Sequence, residues 1–65
     1  MNKKELRQRF IIELDMLKTM LPFYIDDEET TNTLLDRIIE IKRFVAEIDK
    51  ELDNEKKNEQ WYYNH

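Results

Sequence analysis

The chain has 65 residues and a formal net charge of -4; 40% of its residues are hydrophobic and 40% are charged. It contains no Cys, no Gly and no Ser, which excludes disulfides, Cys-based zinc and redox motifs, Gly-rich phosphate-binding loops and a serine nucleophile. A domain of this length buries only about 60% of the surface that its unfolded chain exposes, so a second chain is the remaining source of stability.

The acidic balance, with a sequence pI of about 4.9, has the wrong sign for a general binder of nucleic acid or anionic membranes. We therefore expect a protein as the partner. No apolar run approaches the roughly 20 residues that span a bilayer, and Glu5 and Arg7 interrupt the stretch where a signal peptide needs an apolar core. We expect a cytoplasmic protein with no cofactor, no metal and no contact with a membrane.

The first predicted helix spans about residues 2–21. Asn2, followed three residues later by Glu5, is typical of a helix N-terminus. Pro22 disfavours the helical conformation of Leu21, so the helix ends or kinks there, and an end is the favoured interpretation. Apolar residues at steps of three and four predict one buried face, formed by Leu6, Phe10, Leu14, Leu17, Leu21 and Tyr24.

The predicted turn covers residues 22–33 and combines an apolar triplet, an acidic run and a Thr-rich run. Short polar side chains of this kind suit caps and turns because they compete for backbone hydrogen bonds. Asp26 or Asp27 would cap a second helix that begins early, whereas Thr30 or Thr31 would cap a later start. The sequence does not choose between them.

The second predicted helix spans about residues 34–57, and an aromatic tail follows over 58–65. Alternating steps of four and three give the heptad spacing of a coiled-coil seam. The seam consists of Leu34, Ile38, Ile41, Val45, Ile48 and Leu52.

Both helices carry more apolar residues than one neighbouring helix can cover. We therefore predict an all-α antiparallel hairpin that pairs with a second copy into a homodimeric four-helix bundle. A hairpin that meets a different protein and a monomer whose tail folds back are the alternatives. The predicted dimer interface consists of Ile12, Met16, Met20, Leu35, Ile39 and Phe44.

Two groups of residues are candidates for binding another protein. The aromatic residues Trp61, Tyr62 and Tyr63 have the amphipathic character of interface anchors, although they also suit packing on the open end of the hairpin. The acidic run Asp26, Asp27, Glu28 and Glu29 lacks the alternating ligands and Gly of a calcium loop. It suits either a solvated turn or an acidic surface that imitates nucleic acid for a basic partner.

The start of the first helix is locally basic, with Lys3, Lys4, Arg7 and Arg9, but interleaved acidic residues favour a solvated face. Glu13 follows Arg9 by four residues, and we expect the two to pair at the edge of the core or as a polar pair that fixes register between chains. The sequence thus predicts a small non-catalytic interaction module, a regulator or inhibitor of another protein. The alternative is a nucleic-acid accessory protein that uses the basic end.

Overall fold

Two helices and a short connection form the fold. In a computed structural model of the chain, α1 spans Lys3–Met20, a 3-10 helix spans Leu21–Tyr24, and α2 spans Glu28–Tyr63. The structure describes the backbone of residues 2–63 and the side chains of residues 2–55. Within that range there is no strand, and α1 packs against α2 in the opposite direction. The predicted all-α hairpin is confirmed.

The start of α1 follows the predicted cap. Asn2 has extended backbone dihedrals, and its Oδ1 accepts a hydrogen bond of 2.8 Å from the backbone N–H of Glu5. This bond satisfies one of the four backbone donors that a helix start leaves without an internal partner.

The end of α1 lies at Met20, one residue before the predicted position. Leu21 keeps helical dihedrals, and its backbone N–H donates to the carbonyl of Leu17. Pro22 has no N–H to continue the ladder, so the chain tightens into the 3-10 helix. α1 thus ends close to the predicted position, but the expected loss of helical conformation at Leu21 is wrong, because Leu21 keeps helical dihedrals and starts the 3-10 helix.

Asp27 begins α2. Its carboxylate accepts from both the backbone N–H of Thr30, at 3.2 Å, and the hydroxyl of the same residue, at 2.8 Å. The Tyr24 carbonyl accepts from the Asp27 N–H at 2.9 Å and also from the Thr31 hydroxyl. These bonds join the two helices through a connection of only a few residues.

The predicted bounds of the second helix, 34–57, are too narrow at both ends. α2 starts at Glu28 because Asp27 caps it, and the acidic residues of its first turn favour the positive end of the helix dipole. It continues to Tyr63, since the sequence contains no Gly or Pro after residue 57 that would stop a helix.

The core lies along the predicted seam. Leu14 of α1 and Ile38 and Ile41 of α2 form a buried cluster, and Ile41 has 0% exposure. Three half-buried side chains pack on this cluster: Phe10, Leu17 and Val45. The heptad spacing therefore identified the packed face of α2.

α2 is longer than α1 and extends beyond it. At the open end of the hairpin, the Lys3 Nζ lies 2.6 Å from Glu55 Oε1, so α1 begins level with Glu55. From there α2 continues to Tyr63, which is about 12 Å at 1.5 Å per residue. The longest dimension of the structure, 58 Å, is close to the length of α2 alone.

Candidate interaction surface

An ion pair marks one edge of the helix–helix seam. The Arg37 guanidinium on α2 donates to both carboxylate oxygens of Glu13 on α1, at 2.6 Å from Nε and 3.1 Å from Nη2, and also to Glu40. The expected pairing of Glu13 with Arg9 is wrong, because Glu13 faces α2 and its partner is across the seam. We call this edge of the hairpin the Glu13 side.

The Glu13–Arg37 pair shifts the titration of both groups. The hydrogen bond from Arg37, together with its charge, lowers the pKa of Glu13 below its ordinary value. The same bond raises the pKa of Arg37. Because both side chains are partly exposed, the pair adds little to stability, and its geometric role is to fix the register of α1 against α2.

A second ion pair marks the opposite edge, which we call the Arg7 side. Arg7 Nε lies 2.6 Å from Asp49 Oδ1. Arg37 comes one residue before the seam residue Ile38, whereas Asp49 comes one residue after the seam residue Ile48. With 3.6 residues per turn, these positions lie on opposite edges of α2.

An uncovered apolar row runs along the outer face of α1, which is turned away from the seam. It consists of Ile12, Met16 and Met20, which are four residues apart and which we call the outer row. Ile12 is 51% exposed and Met16 is 59% exposed. Asp15 and Thr19 line a shallow groove together with the outer row. The predicted excess of apolar residues on α1 is thus concentrated on one surface.

The predicted interface residues of α2 do not all lie beside the outer row. Leu35 follows the seam residue Leu34 by one position, as Asp49 follows Ile48, so it lies on the Arg7 side with Ile39. Phe44 precedes a seam residue and lies on the Glu13 side, where its ring stacks on Phe10 with centroids 5.3 Å apart. One flat partner surface therefore covers only part of the predicted set.

Two lysines that the sequence did not single out border the Arg7 side. Lys18 follows the seam residue Leu17 by one position, and Lys42 follows the seam residue Ile41. Both are exposed and form no ion pair with a described residue. Their position one residue after a seam residue is the feature of the sequence from which their location on this side could have been predicted. Lys42 follows Ile39 by three positions, so the two are neighbours on the surface of α2.

The acidic run lies at the closed end of the hairpin, and all four of its residues are exposed. Asp27 is engaged as the cap of α2, and hydrogen bonds from Thr30 lower its pKa. Within the described part of the chain, the other three carboxylates form no ion pair. Phe23, on the adjacent 3-10 helix, is 82% exposed. The closed end therefore presents negative charge beside an aromatic ring.

Ion pairs neutralise part of the basic open end. Lys3 bridges Glu51, at 3.4 Å, and Glu55, at 2.6 Å, and the hydrogen bond with Glu55 raises the pKa of Lys3. Arg7 is held by Asp49, and its pKa is raised as well. Of the four predicted basic residues, Lys4 and Arg9 remain outside the ion pairs found among residues 2–55.

The predicted anchor residues Trp61, Tyr62 and Tyr63 have side chains outside the described residues, and their role stays a prediction. Between residues 2 and 55, no group of three or more His, Cys, Asp or Glu side chains is arranged to hold a metal ion. Neither helix, over its described length, is apolar enough to cross a bilayer.

No protein-family model, no curated protein and no solved structure matches the chain.

Proposed function

We propose that the chain is a non-catalytic protein–protein interaction module, a regulator or inhibitor that binds another protein through the Arg7 side of its hairpin. The observation that carries this proposal is the exposure of Leu35 and Ile39, which lie outside the core on one side of α2. Ile39 is 50% exposed. Apolar side chains grouped on one surface and bordered by charge are typical of protein-binding sites.

The charges on this surface indicate the chemistry of the target. Lys42, beside Ile39 on α2, and Lys18, on the same side of α1, place positive charge on this surface of a chain whose net charge is -4. A helix with apolar residues three and four positions apart and carboxylates along its edges would match both features. The target is therefore expected to present an acidic amphipathic helix.

Protein is a better-supported partner than nucleic acid. A nucleic-acid site depends on free cations that can replace the counterions of several phosphates. Lys3 and Arg7, two of the four basic residues at the open end, are held by carboxylates of α2. Of these four, only Lys4 and Arg9 lie outside the ion pairs found among residues 2–55, which is too few for a strong phosphate-binding surface.

The test compares three tagged chains in extracts of the source cells: the natural sequence, Ile39→Glu and Gln8→Glu. Both substitutions add one negative charge at an exposed helical position, but Gln8 follows Arg7, which contacts Asp49, and Asp49 is about 15 Å from Ile39 along α2. A protein that the natural chain retains is then purified, and its affinity for all three chains is measured by calorimetry.

The proposal expects a purified target that binds the natural chain and Gln8→Glu equally and binds Ile39→Glu at least about tenfold more weakly. Circular dichroism should show the same helix content in all three chains. If every purified target binds Ile39→Glu as tightly as the natural chain, the assignment of the Arg7 side is refuted.

A further inference from the structure

The outer row on the outer face of α1 is a second uncovered apolar surface, and it needs an occupant of its own. Leu35 and Ile39 lie on the opposite side of the hairpin, so a target bound there leaves Ile12 and Met16 in water. The apolar surface continues from Met20 to Phe23, the most exposed of the large apolar residues described. It therefore extends over about half of α1 and into the 3-10 helix.

The neighbouring surface of α2 restricts where an occupant can sit. Arg37 is occupied by Glu13 and Glu40. Glu47 lies one heptad after Glu40, so carboxylates line the outer part of α2 on this side. An apolar occupant therefore packs on α1 and not across both helices.

The charges of the hairpin select the direction of a helix packed on α1. The first turns of α1 carry Lys4 and Arg9, which form no ion pair with a side chain of residues 2–55, whereas the closed end carries the four carboxylates of residues 26–29. A second α1 running in the same direction would place like charges side by side. A second α1 running in the opposite direction places the basic start of each copy beside the acidic turn of the other.

We propose that the outer row binds the outer row of a second copy of this chain, antiparallel and with the two-fold axis at Met16. Positions equally distant from Met16 then face each other, so Ile12 meets Met20 of the second copy. In this register every apolar residue of the row faces another apolar residue. Arg9 lies opposite Phe23 of the second copy and within reach of its Asp26.

This arrangement satisfies the rule that a two-fold interface uses the same surface on both copies. The two α1 helices form the centre of the dimer, and the two α2 helices lie outside them. The Arg7 side of each copy stays accessible, so the dimer presents two copies of the surface proposed above for the target. The dimer and the target site are independent of each other and can be tested separately.

The experiment uses disulfide trapping, because the chain has no Cys of its own. Four single-cysteine variants are prepared: Met16→Cys, Ile12→Cys, Met20→Cys and, as the control on the opposite side, Ile39→Cys. Each is oxidised alone, and Ile12→Cys is also oxidised together with Met20→Cys. Disulfides form only when the two Cβ atoms approach to about 3.5–4.5 Å.

The proposal expects rapid crosslinking of Met16→Cys with itself and of Ile12→Cys with Met20→Cys. Ile12→Cys alone and Ile39→Cys alone should remain mostly uncrosslinked. Crosslinking of Ile39→Cys as fast as that of Met16→Cys would place the interface on the other side and overturn the proposal. Faster crosslinking of Ile12→Cys with itself than of Met16→Cys would overturn the register.

A charge exchange tests the direction of packing. Arg9→Glu and Asp26→Arg should each weaken dimer formation about two- to fivefold in sedimentation equilibrium, which is the range of an exposed ion pair. The double variant restores the net charge and should restore the dimer. A double variant that associates more weakly than either single variant would contradict the antiparallel contact.

Discussion

Ile41→Ala is the sharpest test of the core, because Ile41 has 0% exposure and packs between Leu14 and Ile38. Truncation of a fully buried Ile to Ala costs about 2–5 kcal/mol, since it removes apolar contacts and leaves a cavity. A chain of 65 residues has a total stability of about 3–10 kcal/mol. The substitution should therefore remove a large share of the folding free energy.

The matched control is Ile39→Ala, which removes the same atoms from a side chain that is 50% exposed. Urea unfolding of the natural chain and both variants is followed by circular dichroism at one fixed protein concentration, because self-association adds a concentration-dependent contribution. Ile41→Ala should lower the free energy of unfolding by at least about 2 kcal/mol. Ile39→Ala should lower it by less than half as much. Equal losses would refute the assignment of the core to this seam.

The hydrogen bonds and charges give three further predictions. Arg37 lowers the pKa of Glu13, so this carboxylate stabilises the fold above its ordinary pKa of 4.5 and loses that effect as the pH falls through its lowered pKa. In acid titrations followed by circular dichroism, Glu13→Gln should therefore lose less stability than the natural chain, and an equal loss would contradict the pairing. Asp27→Ala should lower the melting temperature more than Asp26→Ala, because only Asp27 caps α2. The reverse order of the two melting temperatures in calorimetry would show that Asp27 is not the cap. Fluorescence titration with duplex DNA or RNA should detect no binding at physiological salt, whereas sub-micromolar affinity that Lys3→Glu with Lys4→Glu abolishes would support the nucleic-acid alternative.

The sequence predicted the parts of the fold that local spacing determines. The seam from Leu34 to Leu52 repeats with a heptad period, and its buried members in the structure are predicted ones. The Asn2 cap was readable because it involves residues only three positions apart. Pro22 indicated where α1 ends, although Leu21 itself keeps helical dihedrals.

The start of α2 was not determined by local spacing. Asp26, Asp27, Thr30 and Thr31 are all competent caps, and the choice depends on how the 3-10 helix presents the chain. The Tyr24 carbonyl accepts from the Asp27 N–H and from the Thr31 hydroxyl, which leaves Asp27 to cap Glu28 onward. The hydrogen bonds to the Tyr24 carbonyl form only because the turn that begins at Pro22 brings Tyr24 close to Asp27 and Thr31.

For the candidate surfaces too, the sequence predicted what depends on spacing within one helix and did not predict what depends on the packing of the two helices. The exposed row of α1 was visible as an i, i+4 pattern, and its exposure is observed. The separation of Ile12 from Leu35 onto opposite sides was not, because it depends on the register between two helices. That register also gives Glu13 its partner: Arg37 is 24 residues away in sequence, whereas Arg9 is four residues away.

The molar mass in solution tests the central claim, that the outer row is an interface, most directly. Light scattering coupled to gel filtration is performed on the natural chain and on Met16→Glu at protein concentrations from low micromolar to millimolar. A monomer has a mass of 8.1 kDa, so a dimer has twice that mass. We expect the natural chain to reach the dimer mass within this range and Met16→Glu to remain a folded monomer. A natural chain that stays at 8.1 kDa at every concentration, with a melting temperature independent of concentration, would contradict the claim.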